Sequence, residues 1–172
     1  MRPESFADLW SLHAQGWYLV DPTNLTLNAT GAAVMGAGIS RAVAERYPQV
    51  PAELGRWIST YTAGAAEPIC GRALSVAEVK GHLVFLDRAH RIVYLPTKYD
   101  WRASADLALI DRALGEVSTL LRAHHELTLA LPRIGAGLGG RDWADEILPL
   151  VRRHLETPEF AERVLLVRPP AR

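Results

Sequence analysis

The sequence predicts a layered α/β domain with a mostly buried sheet. Three observations carry that expectation. Short apolar runs alternate along the chain with stretches whose apolar residues recur every three or four positions. The strand candidates are apolar nearly throughout, as strands covered on both faces should be. Two glycine-rich segments, 34–38 and 135–140, each open onto a helix-like stretch.

In chain order, Ser5 to Ala14 reads as a short helix, with Ser5 and Asp8 in capping-box spacing and Phe6, Leu9, Trp10 and His13 on one face. Trp17 to Val20 is a β-type run that Asp21-Pro22 should end. A loop over 23–31 and the segment Ala32 to Gly38 then lead into a helix carrying Ile39, Val43 and Tyr47, which stops before Pro48. Leu54, Trp57, Ile58 and Tyr61 space as another helix after Pro51, and 62–79 shows no clear pattern.

His82 to Leu86 and Arg91 to Leu95 read as a hairpin turning at Asp87-Arg88-Ala89-His90. Pro96 to Arg102 should be a polar and aromatic loop. The longest helix follows, with Ser104 as its N-cap and Leu107, Ile110, Leu114, Val117 and Leu121 inward. A strand at Leu127 to Leu131 enters the second glycine loop. Beyond it Asp142 should cap a helix bearing Trp143, Ile147, Leu150 and Val151, bent at Pro149. Arg163 to Val167 is the last strand, and Pro169-Pro170 ends the order. With no repeat or linker, residues 1–172 read as one domain.

Composition narrows the function. The 172 residues are 49% hydrophobic and 22% charged, an ordinary globular balance. A formal net charge of zero argues against strong non-specific nucleic-acid binding. The single cysteine, Cys70, excludes an internal disulfide and fits a reducing compartment. No apolar run is long enough to span a membrane, and the first residues lack a signal-peptide core, so a cytoplasmic location is expected. Asn24-Leu25-Thr26 and Asn28-Ala29-Thr30 then match the glycosylation sequon by coincidence.

Glycine loops leave N–H groups unpaired, and a helix N-terminus favours a phosphate. Gly135, Gly137 and Gly140 also fit the dinucleotide pattern of glycines, which raises a Rossmann oxidoreductase. The match falls too near the end of the sequence for a second mononucleotide half, and Arg133 stands where the turn should be tight. Metal chemistry finds no ligand spacing: His124-His125 are adjacent on a helix end, and His82 and His90 flank a hairpin. Cys70 has no recognisable base.

Three segments in order resemble macrodomains, α/β/α modules that bind ADP-ribose: Val20-Asp21-Pro22-Thr23-Asn24, Val34-Met35-Gly36-Ala37-Gly38-Ile39, and Leu131 to Gly140. Tyr94-Leu95-Pro96-Thr97-Lys98, followed by Trp101-Arg102, resembles the branch of terminal ADP-ribose glycohydrolases and DarG-type antitoxin macrodomains. The resemblance spans about Asp8 to Val151 and implies a three-layer α/β/α fold with a central mixed sheet. It implies that Val34, Met35, Gly36, Ala37 and Gly38 wrap the distal ribose and its phosphate. Ile134, Gly135, Ala136, Gly137 and Leu138 would hold the pyrophosphate through backbone N–H groups. Asn24 would sit near the distal ribose and Asp8 near the adenine amino group, with helix capping as the alternative for Asp8. Thr97, Pro132, Arg133 and Gly139 complete the expected contacts.

By the same resemblance Lys98 is the catalytic residue, acting at the anomeric carbon of the distal ribose. A neutral amine must have its pKa brought below the ordinary value of about 10.4. Desolvation by Tyr99 and Trp101, or a neighbouring Arg102, would do so. Carboxylate-specific members place an aspartate where this chain has Gly139, so the antitoxin type is the nearer likeness. The usual toxin-binding C-terminal domain of that type is not in this sequence, so direct toxin neutralisation is not expected. The expected activity is removal of ADP-ribose from a modified target, thymidine in DNA ahead of protein glutamate or aspartate, by a monomer needing no cofactor or metal. The alternative is a non-catalytic ADP-ribose reader.

Overall fold

A computed structural model describes residues 1–60 and 70–168. Tyr61 and the stretch 62–69, like Pro169-Pro170, lie outside the described residues. Six strands form one mixed sheet: β1 (Arg2–Phe6), β2 (Tyr18–Asn24), β3 (Phe85–Asp87), β4 (Ile92–Lys98), β5 (Leu129–Pro132) and β6 (Val164–Arg168). Their order is β1-β6-β5-β2-β4-β3, with every pair parallel except β3 against β4.

Alternating side chains send each strand's apolar residues to two cores. Val20, Val93, Leu95, Leu129 and Leu131 face α4 (Leu107–Ala123) and α5 (Leu148–Leu155). Leu19, Ile92 and Tyr94 face α2 (Gly38–Arg46) and α3 (Val50–Thr60), while Ala130 and Val167 meet α1 (Leu9–Ala14). The result is the expected α/β/α layering.

Several boundaries differ from the sequence reading, each for a local reason. The first helix begins at Leu9, not Ser5, and Asp8 caps it by accepting from the Ser11 N–H at 2.9 Å. Residues 2–6 are strand β1, an edge strand parallel to β6. Asp21-Pro22 does not end β2, which runs on to Asn24. Pairing with β5 covers only Tyr18 and Leu19, so at Pro22 just one flank of β2 is in a ladder. Pro96, Thr97 and Lys98 belong to β4 rather than to a loop. The N-cap of α4 is Asp106, which accepts from the Leu109 N–H, and Ser104 is exposed.

Asp142 does cap the next helical segment, by accepting from Asp145 N–H at 2.8 Å. Trp143–Ile147 forms a π-type turn, with Ile147 N–H donating to Asp142 O, before α5 starts. Pro149 sits in the first turn of α5, where its missing N–H costs least.

Parallel pairing puts the carboxyl ends of β1, β6, β5, β2 and β4 along one edge of the sheet. In open α/β sheets that edge is where ligands bind. It collects Asp8, Arg133, Asn24 and Lys98 from four different strands' ends.

Candidate functional site

Lys98 closes β4 and is only 9% exposed. Its Nζ donates to the carbonyls of Ala103 at 2.9 Å, Leu138 at 3.0 Å and Trp101 at 3.4 Å. An ammonium carries three N–H donors, and three carbonyls receive them. Burial pushes its pKa below the ordinary lysine range, and the Asp100 carboxylate opposes that shift. Arg102 is not the cation that lowers it: its guanidinium grips Asp100 at 2.8 and 3.0 Å, which holds that carboxyl down at about 2. Trp101 and Leu138, two carbonyl partners of Lys98, carry large exposed side chains.

The first glycine loop reaches the same edge. Asn24 donates from Nδ2 to Val34 O at 2.8 Å and accepts Thr26 N–H at 2.9 Å, so β2 holds the loop directly. Met35 and Ala33 bury their side chains in the α2–α3 core. Gly36, Ala37 and Gly38 are exposed. Ala37 is the N-cap of α2, with no side-chain bond and no acid in the first turn. Behind the loop, a Cβ on Gly55 of α3 would come within 2.1 Å of Gly31 O, so the helix backbone rests on the loop backbone. That support, like the Asn28 side chain accepting Thr30 and Ala32 N–H, carried no signal in the sequence.

The second loop is built differently. Pro132 ends β5, and Ile134 is a core residue whose N–H is donated to Pro132 O at 2.8 Å. Among the described residues no hydrogen bond occupies the N–H of Gly135, Ala136, Gly137, Leu138 or Gly139. Gly135 has φ +68°, and a Cβ there would crowd Ile110 and Ile147 at 3.2 Å. A Cβ on Gly139 would lie 2.3 Å from Gly135 O, so the loop folds back on its own main chain. The position at which an acid was considered therefore admits no side chain. Gly139 O accepts Ala105 N–H at 2.8 Å, and Arg141 Nε donates to Ala105 O at 2.7 Å. Both clamp the loop to the segment leading into α4.

The remaining predicted residues have structural partners. Thr97 Oγ1 donates to Thr23 O at 3.1 Å, tying β4 to β2. Arg133 makes a bidentate pair with Glu4 at 2.6 and 2.8 Å, which lowers the Glu4 pKa, and stands over the Trp143 ring. Asp8 is held below the usual carboxylate range by the Ser11 hydroxyl and N–H. Lys98, Leu138, Asn24 and the 34–38 loop thus share one edge, while Asp8 and Arg133 stand toward its β1–β6–β5 end.

No family profile matches the chain. Two curated relatives do, both named DNA ADP-ribosyl glycohydrolase, from Mycobacterium tuberculosis and Mycobacterium bovis. Each is 34% identical over 137 residues, covering 78% of this chain and 35% of the relative. Among solved structures, the macrodomain of M. tuberculosis DarG superposes with TM-score 0.66 at 26% identity, over 99% of this chain and 100% of that one.

The chain is a macrodomain of the DarG type. The macrodomain of Thermus aquaticus DarG has the same fold, with TM-score 0.67 at 21% identity and 99% coverage of both chains. So does Thermosipho africanus DarTG, solved in complex with ADP-ribose, with TM-score 0.66 at 18% identity over 99% of this chain and 42% of that one. The macrodomain described here spans about a third of the length of its curated relatives.

Proposed function

We propose that this macrodomain hydrolyses the glycosidic bond between ADP-ribose and a modified target, preferring thymidine in DNA over protein glutamate or aspartate, with Lys98 as its catalytic residue. The observation that carries the reading is the buried Lys98 amine at the carboxyl edge, bonded to Leu138 O of one glycine loop. The names of the curated relatives and the ADP-ribose held by the T. africanus protein support the substrate class. The open N–H groups of 135–139 would hold the pyrophosphate, and the unobstructed N-terminus of α2 a phosphate beside the distal ribose.

In the reaction the bond from the anomeric carbon to the target atom breaks. Water then supplies hydroxyl to that carbon and a proton to the leaving atom. Burial makes the Lys98 proton easier to lose, which favours a neutral amine able to add to the anomeric carbon. The three carbonyls hold the protonated form, which would stabilise charge on the departing group from the same place. No side chain at Gly139 takes part.

A second reading rests on that same set of bonds. With every N–H donor given to a carbonyl, Lys98 is also suited to latching the 138–139 loop against 101–103 in a non-catalytic ADP-ribose reader. The discriminating experiment compares release of thymidine-linked and glutamate-linked ADP-ribose, alongside calorimetric ADP-ribose affinity. For a hydrolase, Lys98→Ala lowers release about 100-fold or more with affinity kept within about fivefold. Full release by Lys98→Ala would end the lysine mechanism. Wild-type protein that binds ADP-ribose but releases none from either substrate is a reader.

A further inference from the structure

On the reading of Lys98 as the residue that meets the anomeric carbon, we propose that Trp101 is the platform on which the nucleobase joined to ADP-ribose stacks. With Leu138, it would select a base in DNA over a protein carboxylate as the leaving group. Among the described residues three large apolar side chains are exposed: Val76, Trp101 at 53% and Leu138 at 78%. Two of these three belong to residues whose carbonyls receive the Lys98 amine, at 3.4 and 3.0 Å. The fixed length of a carbonyl group then puts the Cα atoms of Trp101 and Leu138 within about 6 Å of Nζ. One residue comes from the turn after β4 and the other from the second glycine loop, so the fold makes the convergence.

A loose backbone does not account for the exposure of Trp101. Its N–H donates to Thr26 Oγ1 at 3.0 Å, while its own carbonyl receives Lys98. The Arg102 N–H donates to Asp100 Oδ1 at 2.9 Å and the Ala103 N–H to Asp100 O at 3.0 Å, which closes the turn over 100–103. The Arg102 guanidinium lies 5.8 Å from the centre of the Trp101 ring and is itself held by Asp100. An indole kept in water on so fixed a base gains from being covered, and ordering it for a ligand costs little conformational freedom.

The chemistry of these side chains selects the occupant. Whatever is joined to the anomeric carbon comes to the Lys98 amine with it, among the residues bonded to that amine. A nucleobase is a flat, uncharged ring, and stacking on indole suits any base. A glutamate or aspartate side chain has no such face, and it departs as an anion. The Arg102 guanidinium is not free to receive that anion, because both arms of its fork are on Asp100, at 2.8 and 3.0 Å. Leu138 adds an apolar surface of the kind that suits a thymine methyl group.

The test is calorimetric binding of three ligands to the full chain carrying K98A: ADP-ribose, a peptide with glutamate-linked ADP-ribose, and a short single-stranded oligonucleotide with one ADP-ribosylated thymidine. The oligonucleotide should bind about tenfold or more tighter than the other two. Adding W101A should weaken the oligonucleotide about tenfold and leave ADP-ribose within about twofold, W101F should recover most of the loss, and L138S should cost a few-fold. With Lys98 intact, W101A should raise KM for thymidine-linked release about tenfold and keep kcat within about threefold. Circular dichroism of the variants should match wild type. The proposal is overturned if W101A leaves oligonucleotide binding unchanged. It is equally overturned if W101A weakens all three ligands by the same factor, which would make Trp101 a support for the loop. Wild-type protein that releases no ADP-ribose ends the hydrolase reading alone, since the binding ratios decide Trp101 without catalysis.

Discussion

The two glycine loops share a composition but are held in opposite ways. The 34–38 loop is braced from outside: Asn24 grips Val34 O, Met35 is anchored in the core, and α3 backs the approach at Gly31. Its own glycines stand in open space. The 135–140 loop is braced from within, with Gly139 against Gly135 O and the Lys98 amine on Leu138 O. The helices that follow differ too. The N-terminus of α2 has no capping side chain and no acid in its first turn. After the second loop, Asp142 occupies the N-cap, and Asp145 and Glu146 stand in the first turn. Only the first loop, then, delivers a free helix N-terminus to an anion; the second offers main-chain N–H groups alone. Glycine content by itself says nothing about which kind a loop will be.

The contrast breaks most visibly at Gly139. Gly139→Asp should destabilise the protein by about 3 kcal/mol or more and lower ADP-ribose affinity at least about tenfold, because the new Cβ meets backbone rather than a movable side chain. Chemical denaturation and calorimetry check both, and a soluble variant with normal affinity would refute the self-packed loop.

Next in size is Asp21, which holds Ser40 of the helix behind the first loop. Burial raises its pKa from 3.8 to about 7. The folded chain therefore keeps a proton that the unfolded chain releases, so stability from this group is full below about pH 4 and falls until about pH 7. The fall is about 4 kcal/mol at most. Asp21→Asn should flatten that part of the stability–pH curve and be the more stable protein at pH 8, as denaturant melts at pH 4, 6 and 8 would show.

Asn24→Ala removes one hydrogen bond to the first loop, at Val34 O, and one from Thr26 N–H just beyond β2, and none from the second loop. It should cost about 1–2 kcal/mol and weaken ADP-ribose binding, read by melting and calorimetry. The smallest effect belongs to Gly36→Ala, whose Cβ meets nothing within 4 Å. Stability should stay within about 0.5 kcal/mol, so any lost affinity for ADP-ribose measures how closely the ligand approaches that main chain.

The layering was readable because alternation in Leu19-Val20, Val93-Tyr94 and Leu129-Ala130-Leu131 reports burial on both faces, which is local information. β1 was not readable: Arg2, Pro3 and Glu4 carry no strand pattern, and Glu4 finds its partner in Arg133 only once the chain has folded. Pro22 and Pro96 resemble strand stops, yet both lie inside strands. Lys98 was legible as a motif, whereas its carbonyl partners depend on how the backbone turns just beyond it at Trp101 and Ala103 and on Leu138, 40 residues further along the chain. The closure of Gly139 depends on a backbone conformation that no residue type announces.

The parallel pairing of β1 with β6 governs how this protein can be handled. Arg168 stands opposite Phe6, level with the carboxyl edge, whereas Arg2 pairs with Leu165 nearer the other end of the strand. The described part of β6 therefore ends beside the edge proposed to bind ADP-ribose, and β1 begins toward the far side. A tag or surface anchor ahead of Met1 should leave the proposed ADP-ribose edge open to a bulky substrate, while the same attachment after β6 should crowd it.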